Sequence, residues 1–299
     1  MKVFLTGATG YIGAAIADAL QKSNHYVIGL ARSTESAEKL RSRGIEPHHG
    51  DLRDKESLRA AASSADAAIH AASPNNATSA ELDNIVLDAI LAEFKGTSKP
   101  FLYTSGIWVL GRTGDRVADE QSVVDPIPLV AWRADCEKKV LAAANKLVHA
   151  GVIRPGIVYG RGAGIPASMI EWAKERGIVV YVGNGENHWP TVHVSDLADL
   201  YVRVLDDAPL GAVFHGTNKG FVRVRDVAEA IGEILDLRDK VEPWPLEQAR
   251  KKLGSYADAL ALDQQVSSER TRERVGWSPI QHSLLDDIRG GSYKGLGIQ

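Results

Sequence analysis

The chain has 299 residues, 44% hydrophobic and 24% charged, enough for one large α/β domain or one domain with a smaller lobe. A net charge of −3 without a long basic tract gives no footprint for nucleic acid or an anionic membrane surface, and no apolar run approaches the roughly 18 residues of a membrane span. Cys136 is the single cysteine, so no disulfide can close within the chain, and glycines interrupt the first apolar stretch, against a signal peptide; a cytoplasmic location is expected.

Short β-branched runs alternate with helix-period segments through the first half. The pattern predicts strands at 2–5, 26–31, 45–49, 67–71, 100–104 and 152–154. Helices are expected at 11–22, after Thr34, and at 55–62, 79–94 and 129–149. Strands alternating with helices make an α/β fold, a doubly wound parallel sheet of the Rossmann type. The second half is less regular. It shows a glycine-rich loop at 160–164, a short strand at 179–182, a Gly-Asn-Gly turn at 183–185, and helices at 195–205, 224–235 and 267–275. The expected organisation is a nucleotide-binding domain over 1–160, joined by segments near 190–218, with 161–299 forming mainly a smaller substrate lobe.

The most specific motif is Thr6-Gly7-Ala8-Thr9-Gly10-Tyr11-Ile12-Gly13, between the first strand and the first helix. Gly7 permits the tight turn, Gly10 lets a pyrophosphate approach the backbone, and Gly13 allows the helix to pack on the sheet. The helix N-terminus supplies unpaired N–H donors. The end of the second strand, about 20 residues on, reads the adenosine ribose. An acidic residue there suits NAD, but this chain has Ala31-Arg32-Ser33. A guanidinium pairs with a 2′-phosphate, so NADP(H) is the expected cofactor. The alternative is that Arg32 is a solvated loop cation. Asp51, in Gly50-Asp51-Leu52, either accepts from the adenine amino group or caps the next helix.

These segments resemble the extended short-chain dehydrogenase/reductase family. The resemblance continues through Ile69-His70-Ala71-Ala72, Tyr103-Thr104-Ser105-Gly106, Arg154-Pro155-Gly156-Ile157-Val158-Tyr159-Gly160, Val192-His193-Val194-Ser195-Asp196 and Gly276-Trp277-Ser278-Pro279, covering nearly the whole chain. It implies that Ala71 and Ala72 line the adenosine side, that Thr104 lies near the nicotinamide ribose, and that the backbone after Pro155 meets the carboxamide. It also implies a homodimer through the helices near 79–94 and 129–149, whose alternative role is ordinary cover for the sheet.

The family's usual site holds a serine or threonine, a tyrosine and, one helical turn later, a lysine. Here the pattern departs. Aligned through Val109 and Gly111, the serine position falls on Gly106. Aligned through Pro128 and Glu137, the tyrosine falls on Leu129 and the lysine on Arg133; a shifted frame gives Trp132 and Cys136. No Tyr-x-x-x-Lys occurs between 104 and 151. This resembles the atypical branch of the family. Arg133, a permanent cation with a forked set of donors, is the candidate for the ribose hydroxyls. Tyr103 and Tyr159 are the candidates for a relocated acid, each with packing in the core as the alternative, and an ordered water is a third source of the proton.

Segment 183–189 lacks the arginine that nucleotide-sugar members use for the diphosphate. Ser105, Trp108, Tyr159 and Trp189 are the expected substrate-pocket residues, and an uncharged, partly apolar small molecule is the expected partner. His48 and His49 lie on one strand facing opposite ways, so no metal site is expected. The reading is an enzyme, an NADP-dependent oxidoreductase that reduces a small or medium organic substrate. A non-catalytic NADP(H)-binding regulator and a nucleotide-sugar epimerase or dehydratase stand as alternatives.

Overall fold

A computed structural model describes residues 1–144, 148–207 and 211–297. Seven parallel strands build one sheet: β1 (Lys2–Thr6), β2 (Tyr26–Ala31), β3 (Glu46–His49), β4 (Ala67–His70), β5 (Pro100–Thr104), β6 (His149–Pro155) and β7 (Ala212–Gly216). Their order is β7-β6-β5-β4-β1-β2-β3. The order reverses beside β1, where a doubly wound sheet opens its ligand crevice at the carboxyl ends of the strands.

Both faces of the sheet are covered, so the central strands are nearly all apolar. Successive residues alternate between two cores. Val3, Leu5, Ile69 and Ile153 pack with α1 (Tyr11–Lys22), α2 (Thr34–Arg41) and a later helix, Val194–Asp207. Phe4, Ala68, Phe101, Tyr103 and Val152 pack with α3 (Lys55–Ser63), α4 (Ser79–Phe94) and α5 (Ala131–Ala144). A third core joins the strand Ile157–Gly160 to the helices Ile165–Arg176 and Val224–Leu235. No helix among the described residues is long and apolar enough to cross a membrane.

The helix expected over 129–149 is shorter. Pro128–Val130 forms a 3₁₀ turn, α5 follows, and His149 belongs to β6, opposite Pro100. The run from Val148 to Ile153 carries three β-branched residues and finds strand partners on both sides, which outweighs local helix preference. Residues 145–147 of that expected helix, like 208–210 and 298–299 of the expected domain segments, lie outside the described residues. The helix Ile165–Arg176 was not anticipated. The glycines at 160–164 read as loop, and Pro166 sits in the first turn, where its missing N–H costs nothing.

Candidate functional site

The residues expected to hold the cofactor lie at the carboxyl ends of β1 to β6. Gly7 has φ +80°, and a Cβ there would meet Ala72 N at 2.7 Å and Ala71 O at 2.8 Å. The first glycine therefore sits directly against the Ala71-Ala72 backbone. A Cβ on Gly13 would lie 2.0 Å from Gly7 O, so this glycine lets α1 close onto β1. Gly10 differs: a Cβ there would meet only Gly7 O, at 3.3 Å, and would otherwise stand in open space. Gly10 is also the N-cap of α1, with no side-chain cap on the first N–H groups. An open backbone cradle beside uncapped helix donors fits a dinucleotide pyrophosphate. Thr9 and Ile12 flank it, Ile12 packing against the core beneath.

Arg43, which belongs to no recognisable motif, braces this loop from behind. It donates to Ala8 O (3.1 Å), Ala14 O (2.7 Å) and Asp18 Oδ1 (2.6 Å). Arg161 donates to the other Asp18 oxygen at 2.8 Å. Partial burial works upward on the Asp18 carboxyl, but the two arginines outweigh it and hold it below the usual carboxylate range. Tyr11 donates to Gly160 O at 2.8 Å, tying the motif to the strand after β6.

At the adenosine end, Arg32 is exposed and makes no hydrogen bond or ion pair among the described residues. Ser33 is occupied as the N-cap of α2, in a capping box with Ser36. Asp51 does not cap the next helix. Asp54 does, accepting from Ser57 N at 2.9 Å, whereas Asp51 accepts locally from Arg53 N. Leu52 packs its side chain toward the core around α3 and α4.

At the other end, α5 is pinned to β6 by a buried bidentate pair. Arg154 donates to Glu137 Oε1 at 2.9 Å and Oε2 at 2.6 Å. Arg133 stands one turn earlier on that face. Its Nη1 donates to Thr104 O at 2.8 Å and to Tyr103 Oη at 3.4 Å, and Trp132 lies across the guanidinium at 4.4 Å from its ring centre. Arg133 thus reaches the end of β5, whereas Cys136 of the shifted frame is buried behind the sheet, where burial pushes its thiol up to about 11. Leu129 is half-buried in the 3₁₀ turn. Ser105 has a buried hydroxyl without a protein hydrogen-bond partner, and Thr104 Oγ1 is bonded to Tyr201 Oη at 2.6 Å. Pro155 ends β6 and is buried.

Three expectations fail on burial. Tyr103 has no exposed surface, and its hydroxyl donates to Asp83 Oδ2 at 2.7 Å. Burial, with Asp83 beside it, holds that phenol far above the ordinary tyrosine range. Tyr159 is equally enclosed. Its hydroxyl donates to His282 O at 2.5 Å and accepts from Asn218 at 2.9 Å. Neither hydroxyl is free to give a proton to a molecule in the cleft, and Tyr159 is no pocket wall. Trp189 is 2% exposed with its indole N–H on Leu260 O, so it belongs to the core of the second half. Of the three aromatic walls expected, only Trp108 keeps partial exposure, edge-on to Tyr256.

The sequence matches the NAD dependent epimerase/dehydratase family over residues 3–215. An uncharacterized protein of Saccharomyces cerevisiae is 39% identical over 300 residues, spanning 97% of this chain and 98% of the yeast protein. A 4-hydroxy-2-methyl-3-oxo-4-farnesyl-3,4-dihydroquinoline-1-oxide ketoreductase of Stigmatella aurantiaca is 25% identical over 263 residues, spanning 84% of this chain and 78% of that protein. A dTDP-glucose 4,6-dehydratase of Bacillus anthracis, solved in complex with NAD, superposes with a TM-score of 0.82 at 18% identity, over 98% of this chain and 96% of that one, and so shares the fold. With its glycine cradle at the switch point of a seven-stranded sheet, the chain belongs to the NAD-dependent epimerase/dehydratase family.

Proposed function

We propose that the protein is an NADP(H)-dependent oxidoreductase that reduces a small or medium, uncharged and partly apolar organic molecule. The observation that carries this reading is the pair of cations at the two ends of one cradle. Arg32 stands free where an NAD-binding chain would carry an acid, and Arg133 stands at the end of β5 where the lysine would be. The 1–160 segment with its returning strand is then the NADP-binding domain, and 161–299 mainly the substrate lobe.

The cofactor, when bound, supplies a hydride. The protein's part is to bind and orient. The loop from Gly7 to Gly13 and the start of α1 hold the pyrophosphate, and Arg32 pairs with the 2′-phosphate. Arg133 Nη1 is fixed on Thr104 O, which leaves its other donors for the ribose hydroxyls. Neither Tyr103 nor Tyr159 acts as the acid, because both hydroxyls are committed inside the fold. The proton comes from water, or the substrate is an electrophile such as an iminium ion that needs none at the hydride step. Reading the substrate as uncharged fits the segment 183–189, where the nearby Arg223 and Arg225 are both drawn to Glu186, at 3.6 and 3.3 Å.

A homodimer through α4 and α5 belongs to the same reading; within one chain Lys139 and Asp88 already pair across these helices at 2.6 Å. The test is titration with NADPH and NADH, followed by a turnover screen over carbonyls, imines and conjugated alkenes. NADPH-selective binding with turnover is expected. Tight NADPH binding without turnover in any class would favour the regulator. Micromolar binding of a nucleotide diphosphate sugar would favour the epimerase or dehydratase.

A further inference from the structure

A buried chain of polar groups runs beneath the cofactor cradle, from the end of β1 to the end of β5. Thr6 Oγ1 lies 2.6 Å from His70 Nδ1. His70 Nε2 lies 3.2 Å from Asp83 Oδ1. Asp83 Oδ2 accepts from Tyr103 Oη at 2.7 Å and stands 3.9 Å from Arg133 Nη1. Thr6, His70, Asp83 and Tyr103 are all within 2% of full burial, and the Arg133 side chain is 13% exposed.

A carboxylate cannot donate, so the His70 Nε2–H donates to Asp83, while the bond between His70 Nδ1 and the Thr6 hydroxyl can run in either direction. Arg133, a permanent cation, stands opposite the buried Asp83 carboxylate. Such a pair adds little stability over an apolar packing of the same volume, but it fixes geometry. Here it fixes the guanidinium along one edge and one face. Asp83 and Tyr103 hold one edge with Thr104 O, and Trp132 covers a face. Among the described residues, Nε and Nη2 of Arg133 make no hydrogen bond, so two directions of the fork remain for a ligand.

We propose that Asp83 is a positioning residue which, tethered by His70 and Tyr103, holds the Arg133 guanidinium in the orientation that binds the nicotinamide ribose. The proposal rests on the reading of Arg133 as the ribose-binding group. Asp83 itself touches no ligand and acts only through Arg133.

The test is a double-mutant cycle on ligand affinity in the full-length protein. NADPH and adenosine 2′,5′-bisphosphate, which lacks the nicotinamide ribose, are titrated into wild type, Asp83→Asn, Arg133→Met and the double variant. Each single variant should weaken NADPH by about tenfold, the loss of one charge-assisted hydrogen bond. The double variant should be no weaker than Arg133→Met, and the bisphosphate should bind all four proteins alike. Losses that multiply in the double variant would overturn the proposal. So would an equal loss for the bisphosphate, the mark of a general structural defect. A gain for both ligands, the mark of simply removing a negative charge, would also overturn it. An unchanged NADPH affinity in Arg133→Met would sink the ribose reading and this proposal with it, whereas a full Arg133→Met effect with multiplying losses would sink only the role of Asp83. Should Asp83→Asn not fold, Tyr103→Phe removes the 2.7 Å tether and leaves the charge, and its loss must likewise vanish in the Arg133→Met background.

Discussion

Two glycines of the same motif should fail in opposite ways when each is replaced by alanine. Gly10 has φ −82° and ψ 173°, which any residue adopts, and its new methyl would meet only Gly7 O at 3.3 Å. The fold should lose about 1 kcal/mol or less, mainly from a poorer N-cap. The methyl would instead stand in the cradle. Overpacking by a methyl typically costs about 1–3 kcal/mol, so NADPH affinity should fall about 5- to 150-fold. Gly13 is the reverse case. Its methyl would lie 2.0 Å from Gly7 O and 2.6 Å from Gly7 C, both backbone atoms that cannot swing aside. The helix must move off β1, at a cost of about 3 kcal/mol or more. At roughly 2–4 °C per kcal/mol, Gly13→Ala should lower the melting temperature by at least about 6 °C. Thermal melts without ligand and NADPH titrations separate the two effects. Wild-type NADPH affinity in Gly10→Ala would refute the placing of the pyrophosphate over this backbone.

Three further outcomes follow from the geometry. Arg32→Ala should weaken NADPH by about tenfold and leave NADH unchanged, the low end of a charge-assisted bond because the site is exposed, and the selectivity should shrink with salt; equal loss for both cofactors would exclude a 2′-phosphate contact. Glu137→Gln leaves Arg154 buried without its counter-charge and should cost about 3–5 kcal/mol, read by denaturant unfolding, with a neutral result ruling out the pair as the pin of α5. His215 is fully buried, and burial with the Arg154 charge beside it pushes its pKa from 6.5 down to about 4. Below pH 6.5 the unfolded chain takes up a proton that the folded chain refuses, so stability should fall from pH 6.5 to 4, by up to about 3 kcal/mol from this residue; His215→Gln should flatten that slope, and an unchanged slope would assign the acid sensitivity elsewhere.

Much of the sheet was legible because its signals are local. Continuous apolar runs at 3–5 and 67–69 mark strands buried on both faces, and the glycine spacing at 7, 10 and 13 ties the first turn to a helix start. The alternation along β5 was legible too: Thr104 faces Tyr201 and Tyr103 faces the opposite core. The fate of side chains at long range was not. Tyr159 and Trp189 occupy slots whose exposure is decided by His282 and Leu260, more than 70 residues away. Asp83 was overlooked although a signal existed. It lies four residues after Ser79, and three and four before Val86 and Leu87, on the buried stripe of α4, whereas Asp88 lies off it. A carboxylate on the apolar face of a helix asks for a buried partner, and β4, β5 and α5 supply three.

Hydride transfer is read most directly with NADPH carrying deuterium at the transferable C4 position. The protein is incubated with this cofactor and pooled carbonyls, imines and conjugated alkenes, and the products are weighed by mass spectrometry. A product bearing one deuterium, formed faster with NADPH than with NADH, is the expected result. Tight binding of NADPH with no deuterium in any product across the three classes would contradict a reductase.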